Sequence, residues 1–152
     1  MKLSKFNREG YRDPTAYDAL EGMDEGRHRR RSSKPRQERQ PYRPIVYVCS
    51  PFSGDVQTNI ENARKYSRFA VDRGTLPITP HLLYPQFLND DDPKERELGT
   101  FFGLVLLPKC REVWVFGTRI SAGMSREIRK ARMIGIPIRY FDEACQEVTV
   151  GD

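Results

Sequence analysis

Two short apolar runs in this chain pass directly into amphipathic helical segments. The first run covers residues 45–49, and the second covers residues 113–116. Both are rich in β-branched or aromatic residues and lack polar alternation, which is typical of strands buried on both faces of a sheet. Two parallel strands need a crossover of a dozen or more residues, usually a helix. The pattern therefore predicts a parallel α/β domain.

The rest of the chain from residue 44 onward extends this alternation. It predicts a three-layer Rossmann- or flavodoxin-like domain with a four- or five-stranded parallel sheet. Residues 79–92 are the least regular part and are predicted as a long loop. The further elements are helices at 55–73, 92–108 and 118–133, and strands at 76–78 and 135–141. Residues 147–150 are expected either to add a short edge strand or to fray.

The first 43 residues differ in composition from the remainder. They carry 12 Lys and Arg against 7 Asp and Glu, a net charge of +5, so residues 44–152 carry none of the chain's net charge of +5. Few aliphatic residues are present, and such a segment cannot bury enough apolar surface to fold alone. We expect a largely disordered basic tail with a possible short helix at 14–23, followed by one domain at 44–152.

The tail also contains an arginine cluster, Arg27 to Arg31. Clustered positive charge attracts phosphate without reading base sequence. However, no aromatic residue is interleaved with the cluster, as nucleic-acid-binding surfaces that stack bases require. A solvated linker is the favoured interpretation, and nucleic-acid contact or docking to a protein partner are the alternatives.

The three cysteines, Cys49, Cys110 and Cys145, have no C-x-x-C spacing. An odd number without such spacing favours a reducing cytoplasm over a disulfide framework. No apolar run approaches the roughly 18–20 residues of a membrane span, and the charged N-terminus lacks a secretory signal, so no membrane partner is expected. The spacing of Cys, His and acidic residues predicts no metal site, and no cofactor is expected.

Polar or glycine-bearing loops follow each predicted central strand. Loops at the carboxyl ends of parallel strands meet at one edge of the sheet, where open α/β folds bind ligands. The loop at 50–54 is neither a P-loop nor a dinucleotide fingerprint, but its serines could seat a phosphate or ribose, with a plain tight turn as the alternative. His81 follows the second strand, and a structural hydrogen-bonding role is its alternative.

The third loop leads into a helix that carries Glu127. This residue shares a helix face with Met124, Ile128 and Ala131, at the i, i+3, i+4, i+7 spacing of a buried stripe. A carboxylate beside such a stripe costs free energy unless it is paired or used in function. The alternative to a functional role is a salt bridge to Arg119 or Arg139.

Three motifs together carry a family resemblance: Cys-Ser-Pro-Phe-Ser-Gly from Cys49, Pro-His-Leu-Leu-Tyr-Pro from Pro80, and Val-Trp-Val-Phe-Gly followed by Ser-x-Gly-x-x-x-Glu. Over residues 44–141 the chain resembles the nucleoside 2-deoxyribosyltransferase-like superfamily, and within it a small bacterial and phage domain family of unassigned function. The resemblance implies that Glu127 attacks the anomeric carbon. Ser121 is similar to the serine with which nucleoside 5′-monophosphate N-glycosidases contact the phosphate, and a helix N-terminus suits that anion.

The resemblance also implies a second acid that protonates or holds the base. Asp90, Asp91, Asp92 and Glu97 are the candidates, with Asp92 preferred and a helix N-cap as its alternative role. The chain departs from many active members in having Cys49-Ser50-Pro51 where they have a glycine-rich start. The predicted substrate- and phosphate-binding residues are Tyr47, Ser50, Pro51, Phe52, Ser53, Gly54, His81, Gly117, Ser121, Gly123 and Met124.

The leading hypothesis is cleavage or transfer of an N-glycosidic bond in a nucleotide or nucleoside, with a 5′-monophosphate favoured. A non-catalytic sensor of a nucleotide or ADP-ribose-type ligand is the rival, and a nucleic-acid-associated accessory protein is a third possibility. The resemblance further implies a homo-oligomer, a dimer or tetramer. Aromatic and aliphatic residues at 82–87 and 101–102 fit such a contact.

Overall fold

A computed structural model describes residues 39–150 of the chain. The predicted helix at 14–23 and the arginine cluster at 27–31 lie outside the described residues. Within the described residues, 41–150 belong to one compact unit. Its five strands are β1 (Ile45–Cys49), β2 (Leu76–Ile78), β3 (Glu112–Phe116), β4 (Ile138–Phe141) and β5 (Glu147–Val148), and its four helices are α1 (Val56–Asp72), α2 (Pro80–Leu83), α3 (Pro93–Leu106) and α4 (Ala122–Ile134).

The strands form a single sheet in the order β2-β1-β3-β4-β5. The first four are parallel, and this is the flavodoxin-like strand order. The chain moves from β1 to one side for β2 and to the other side for β3. The order therefore reverses at β1 and β3, and in such folds a ligand crevice lies at the carboxyl ends of these two strands. The predicted α/β fold class is confirmed.

Alternate residues of the central strands fill two separate cores. Val46 and Val48 of β1 pack with Tyr66 of α1 and with the rings of Trp114 and Phe116. The intervening residues face the opposite layer, where they pack against α4; these are Tyr47 and Cys49 of β1, and Val113 and Val115 of β3. Because side chains alternate along a strand, a continuous apolar run supplies both faces. This arrangement gives the three layers.

Local signals fix the ends of the long helices. Asp55 caps α1 by accepting the backbone N–H of Thr58, and Asp92 caps α3 by accepting that of Lys94. The helix α4 ends at Gly135, whose φ of 74° lies in the left-handed region that glycine tolerates. The predicted helices at 55–73 and 92–108 are confirmed to within about two residues, apart from a short 3₁₀ turn (Leu107–Lys109) that ends the second.

The structure differs from the prediction in four places. The helix predicted at 118–133 begins only at Ala122, because Ser121 is its N-cap. The segment predicted as a loop contains α2 and a 3₁₀ turn at Tyr84–Gln86, both with proline at the start, where its fixed φ favours a helical turn. The fourth strand begins at Ile138, because Pro137 precedes it and has no N–H for the ladder. The edge strand β5 runs antiparallel to β4, since the connection between them is too short for a parallel crossover.

No helix within residues 39–150 combines the length and the apolar character needed to cross a membrane.

Candidate functional site

A cavity of about 350 Å³ lies at the carboxyl edge of the sheet, where β1 and β3 end. Its walls come from the loop after β1, from α2, from the face of α3 and from the first turns of α4. Its volume is in the range of small-molecule sites. Eight predicted site residues line it: Ser50, Phe52, Ser53, His81, Ser121, Gly123, Met124 and Glu127.

Glu127 reaches this cavity from the second turn of α4. Its side chain is partly buried, and its Oε1 accepts a hydrogen bond of 2.7 Å from the hydroxyl of Tyr47. Tyr47 is fully buried in β1 and does not itself line the cavity. The salt bridge considered for Glu127 is absent from the described residues, because Arg139 instead pairs with Glu147 at 2.7 Å and with Glu112 at 3.7 Å.

The surroundings of Glu127 make its ionised form costly. Burial raises the pKa of this carboxyl, and hydrogen bonding from Cys49 and Tyr47 only partly opposes the rise. Burial, together with the neighbouring Glu127, also raises the pKa of Tyr47 far above its usual range, so the phenol stays a donor. A desolvated carboxylate oriented by hydrogen bonds is a competent nucleophile toward an electrophilic carbon.

Gly103 makes the contact between Tyr47 and Glu127 possible. A Cβ at this position of α3 would lie 2.7 Å from the Tyr47 hydroxyl and 3.8 Å from Oε1 of Glu127. The first distance is shorter than Cβ contacts allow. The helix can therefore approach the end of β1 only with glycine here, and Gly103 is the residue of α3 that faces the carboxylate.

Ser50 and His81 form a second polar pair in the cavity. The Oγ of Ser50 lies 2.7 Å from Nε2 of His81, and Ser50 is buried. Burial lowers the pKa of His81 to about 4. The imidazole is therefore neutral at pH 7 and shares a hydrogen bond with Ser50, which fixes both side chains at the end of β1 and the start of α2.

The loop after β1 is held in shape by Asn59 of α1. The side-chain amide of Asn59 donates to the backbone carbonyls of Phe52 and Ser53, at 3.0 Å each. Pro51 and Gly54 do not line the cavity. Gly54 has a φ of 98°, so its place in the sequence reflects a turn that other residues rarely adopt.

The start of α4 presents hydrogen-bond donors to the cavity. Ser121 is its N-cap, and its Oγ accepts the backbone N–H of Met124 at 3.3 Å. A hydroxyl that accepts can still donate its own proton, and the N–H groups of Ala122 and Gly123 have no partner within the helix. Arg126 adds a positive charge to the same wall. Gly117 lies outside it and has a φ of 89° at the end of β3.

The acidic residues near the cavity belong to the segment before α3 and to its first turn. Asp90 lines the cavity and pairs with Arg96 at 3.3 Å, whereas Glu95, also in the wall, accepts the backbone N–H of Asn89. Asp91 and Glu97 do not line it. Asp92 does not reach the cavity either, because its Oδ1 accepts the N–H of Lys94 at 2.9 Å as the N-cap of α3.

Sequence reasoning did not single out several wall residues. Most of them lie on α3, whose cavity face is small and polar, whereas the apolar periodicity drew attention to its other side. The missed residues with a distinct chemical contribution are Glu95, Arg96, Gly103 and Arg126. For Gly103, a glycine in mid-helix was the available signal, because glycine is unfavourable there unless a close approach requires it.

Residues 44–141 match the model of a protein family described as a domain of unknown function (DUF7768). Among solved structures, the fold is similar to that of a 2-deoxyribosyltransferase from Bacillus psychrosaccharolyticus, with a TM-score of 0.55 and 15% identity over 69% of this chain and 77% of that one. A conserved protein from Enterococcus faecalis V583 gives a TM-score of 0.47 and 18% identity, over 66% and 64% of the two chains. No curated protein matches the sequence. The resemblance inferred from the motifs is thus confirmed for the fold.

Proposed function

We propose, from the premise that the chain belongs to the DUF7768 family of domains of unknown function, that this protein cleaves or transfers the N-glycosidic bond of a nucleotide or nucleoside. One observation carries the proposal: the Glu127 carboxylate lines a cavity of small-molecule size and is held there by the Tyr47 hydroxyl at 2.7 Å. The 2-deoxyribosyltransferase with a similar fold supports a glycosyl-transfer activity at a general level.

In the proposed mechanism, Glu127 attacks the anomeric carbon of the sugar. The C1′–N bond breaks, and the sugar becomes esterified to the carboxylate. Water then attacks the same carbon in hydrolysis, or a second base attacks it in transfer, and the carboxylate is released. The Tyr47 hydroxyl orients the Glu127 carboxylate for attack and does not itself react.

The favoured substrate is a 5′-monophosphate. Ser121, the first N–H groups of α4 and Arg126 form one positively polarised wall of the cavity. No acidic residue lies in the first turn of α4, so nothing there opposes the field of the helix N-terminus. A phosphate is the group that such a wall binds best.

We further propose that the protein is a homo-oligomer. Leu98, Phe101 and Val105 lie at i, i+3 and i+7 on α3 and are 41%, 57% and 46% exposed. A helix with an apolar stripe usually buries it. Because the same helix supplies one wall of the cavity, a second copy against this stripe would support the site from behind.

The direct test is to incubate the full chain with nucleosides and nucleotides that differ in base and in 5′-phosphate, and to detect free base by chromatography. We expect base release by the wild type and none by Glu127→Gln. Release that survives this substitution would remove Glu127 from its role. If no compound releases base but nucleotides raise the melting temperature, the site is a sensor and the enzymatic proposal is wrong.

A further inference from the structure

The cavity poses a question about the leaving group. When the glycosidic bond of an ordinary purine or pyrimidine nucleotide breaks, the electron pair stays on the base nitrogen. The departing base then needs a proton, and a positioned acid that supplies it contributes about 10²–10⁴-fold to the rate. The residues around Glu127 decide whether such an acid is present.

The turn of α3 that faces Glu127 carries no acid. A Cβ at Gly103 of α3 would lie 3.8 Å from Oε1 of Glu127. A side chain there would collide with the Tyr47 hydroxyl at 2.7 Å. This position is therefore closed to an acidic side chain by packing, and not only by the present sequence.

Two other acids line the cavity, and both already serve as acceptors. Asp90 is paired with Arg96, whose Nε also donates to the Asp90 backbone carbonyl at 2.9 Å. Glu95 accepts the backbone N–H of Asn89. Together these contacts hold residues 89–96 in place as one wall of the cavity. A carboxyl oxygen that accepts hydrogen bonds in this way serves as an acceptor and attracts positive charge.

The remaining titratable groups at the site are also poor donors at neutral pH. His81 is neutral, since burial lowers its pKa to about 4, and it shares its hydrogen bond with Ser50. The Tyr47 hydroxyl is committed to Glu127. The Tyr84 phenol also lines the cavity, but no hydrogen bond within the described residues holds it in place as an acid. The described part of the cavity thus offers three carboxylates and no positioned group that would protonate a departing base.

We propose, building on the function proposed above, that the preferred substrate is a nucleotide whose base is joined to the sugar through a positively charged ring system, as in nicotinamide mononucleotide. Such a base leaves without a proton. An oxygen of Glu127 bonds to C1′, the C1′–N bond breaks, and its electron pair neutralises the ring. Water then attacks C1′, the Glu127 carboxylate departs, and one proton goes to solvent, giving neutral base and sugar phosphate.

The walls of the cavity also offer contacts that suit a cationic ring. Asp90, Glu95 and Glu127 supply negative charge, and the aromatic rings of Phe52 and Tyr84 also line the cavity. Aromatic faces and carboxylates both attract a flat cation. The positively polarised start of α4 remains available for the 5′-phosphate. The two ends of a zwitterionic nucleotide would therefore meet walls of opposite sign.

The test compares substrates that differ only in the charge of the base. Guanosine 5′-monophosphate and its 7-methyl derivative form a matched pair, and nicotinamide mononucleotide with uridine 5′-monophosphate forms a second comparison. Each is incubated with the full chain and with Glu127→Gln, and release of the base is followed by chromatography. Spontaneous release, measured without protein, is subtracted from every rate.

We expect kcat/KM for the 7-methyl compound and for nicotinamide mononucleotide to exceed that for the neutral bases by about 100-fold or more. We also expect kcat/KM for nicotinamide mononucleotide, whose ring charge does not titrate, not to fall between pH 7 and pH 9, because no acid has to remain protonated. Equal or faster release from the neutral bases, with a rate that falls as the pH rises, would overturn this inference and leave the proposed glycosidase intact. No release from any of the four compounds would overturn both.

Discussion

The Tyr47 hydroxyl donates a 2.7 Å hydrogen bond to the Glu127 carboxylate across 80 residues of sequence. The two residues lie on different elements, the first strand and the fourth helix, and Gly103 of α3 leaves the space in which they meet. Tyr47 is fully buried, so water does not replace Glu127 as the partner of its hydroxyl. The position of this carboxylate in the cavity is thus set by three elements of the fold at once.

The desolvated carboxylate should cost stability at neutral pH. Its pKa is raised in the folded state, so the folded protein binds this proton more readily than the unfolded chain does. The penalty is absent at a pH below the unfolded-state pKa of about 4.3, and it is complete at a pH above the folded-state pKa. We expect Glu127→Gln to abolish base release and to raise the free energy of unfolding at pH 7 by about 1 kcal/mol.

Urea unfolding of the wild type and Glu127→Gln at several pH values would check this. The gain in the free energy of unfolding should shrink as the pH falls toward 4, where the glutamic acid and the glutamine are both neutral. A substitution that destabilises the protein equally at every pH would show that the carboxylate is a structural partner of Tyr47 and not a strained functional group.

Two glycines of α3 provide a matched comparison for the site. Gly103→Ala would place a methyl group 2.7 Å from the Tyr47 hydroxyl, whereas Gly99→Ala would meet its nearest neighbour, Leu88, at 3.5 Å. We expect the first substitution to destabilise the protein by about 1–3 kcal/mol through overpacking and to reduce base release by at least tenfold. The second should be neutral or slightly stabilising, because alanine favours a helix.

Circular dichroism melting and base release per folded molecule would measure both effects. If Gly103→Ala releases base at the wild-type rate, the close approach of α3 does not matter for the orientation of Glu127.

Phosphate recognition should depend on Arg126 and not on the neighbouring basic residues of α4. Arg126 and Arg129, one turn apart, are both exposed, but of the two only Arg126 lines the cavity. We expect Arg126→Gln to raise KM for a 5′-monophosphate about tenfold, the loss of one charge-assisted contact. The KM for the matching nucleoside should not change. Steady-state kinetics on both substrates would test this, with Arg129→Gln as control; an equal effect of the two substitutions would indicate only long-range charge.

The fold was largely predictable because its signals are local. The apolar runs 45–49 and 113–116 and the caps Asp55 and Asp92 each act within a few residues of themselves. They gave the element order, and parallel pairing followed from the helical crossovers. A short edge strand at 147–150 was one of two expectations, but its antiparallel direction was not foreseen, since its two exposed residues carry too weak a pattern.

The site was predictable only in part, because its geometry depends on packing between distant elements. Ser50, His81 and Glu127 follow from their positions after strands or in the last helix. The partnership of Tyr47 with Glu127, by contrast, depends on which face of β1 meets α4, and the role of Gly103 depends on how closely α3 approaches. The only signals of these two features in the sequence are a tyrosine in a strand and a glycine in a helix, and both are weak.

The apolar stripe of α3 predicts self-association. Phe101 is 57% exposed at its centre, between Leu98 and Val105. We expect Phe101→Glu to convert an oligomer into a monomer, because it would bury charge in the contact. Sedimentation velocity would measure the change, with Met133→Glu as the control, since Met133 is a still more exposed apolar residue on α4. A wild-type chain that is monomeric at high micromolar concentration would contradict the proposal.

Acid sensitivity should originate at His81. Its folded-state pKa of about 4 lies below the unfolded value of about 6.5, so the unfolded chain binds this proton first. Stability is therefore complete above pH 6.5 and declines as the pH falls toward 4, by about 2 kcal/mol after allowance for the partial exposure of the ring. We expect His81→Gln, measured by urea unfolding at pH 7 and pH 4.5, to lose less stability between these values than the wild type. His28, the only other histidine, serves as the control. If His28→Gln reduced the loss of stability between pH 7 and pH 4.5 by the same amount, the assignment would be contradicted.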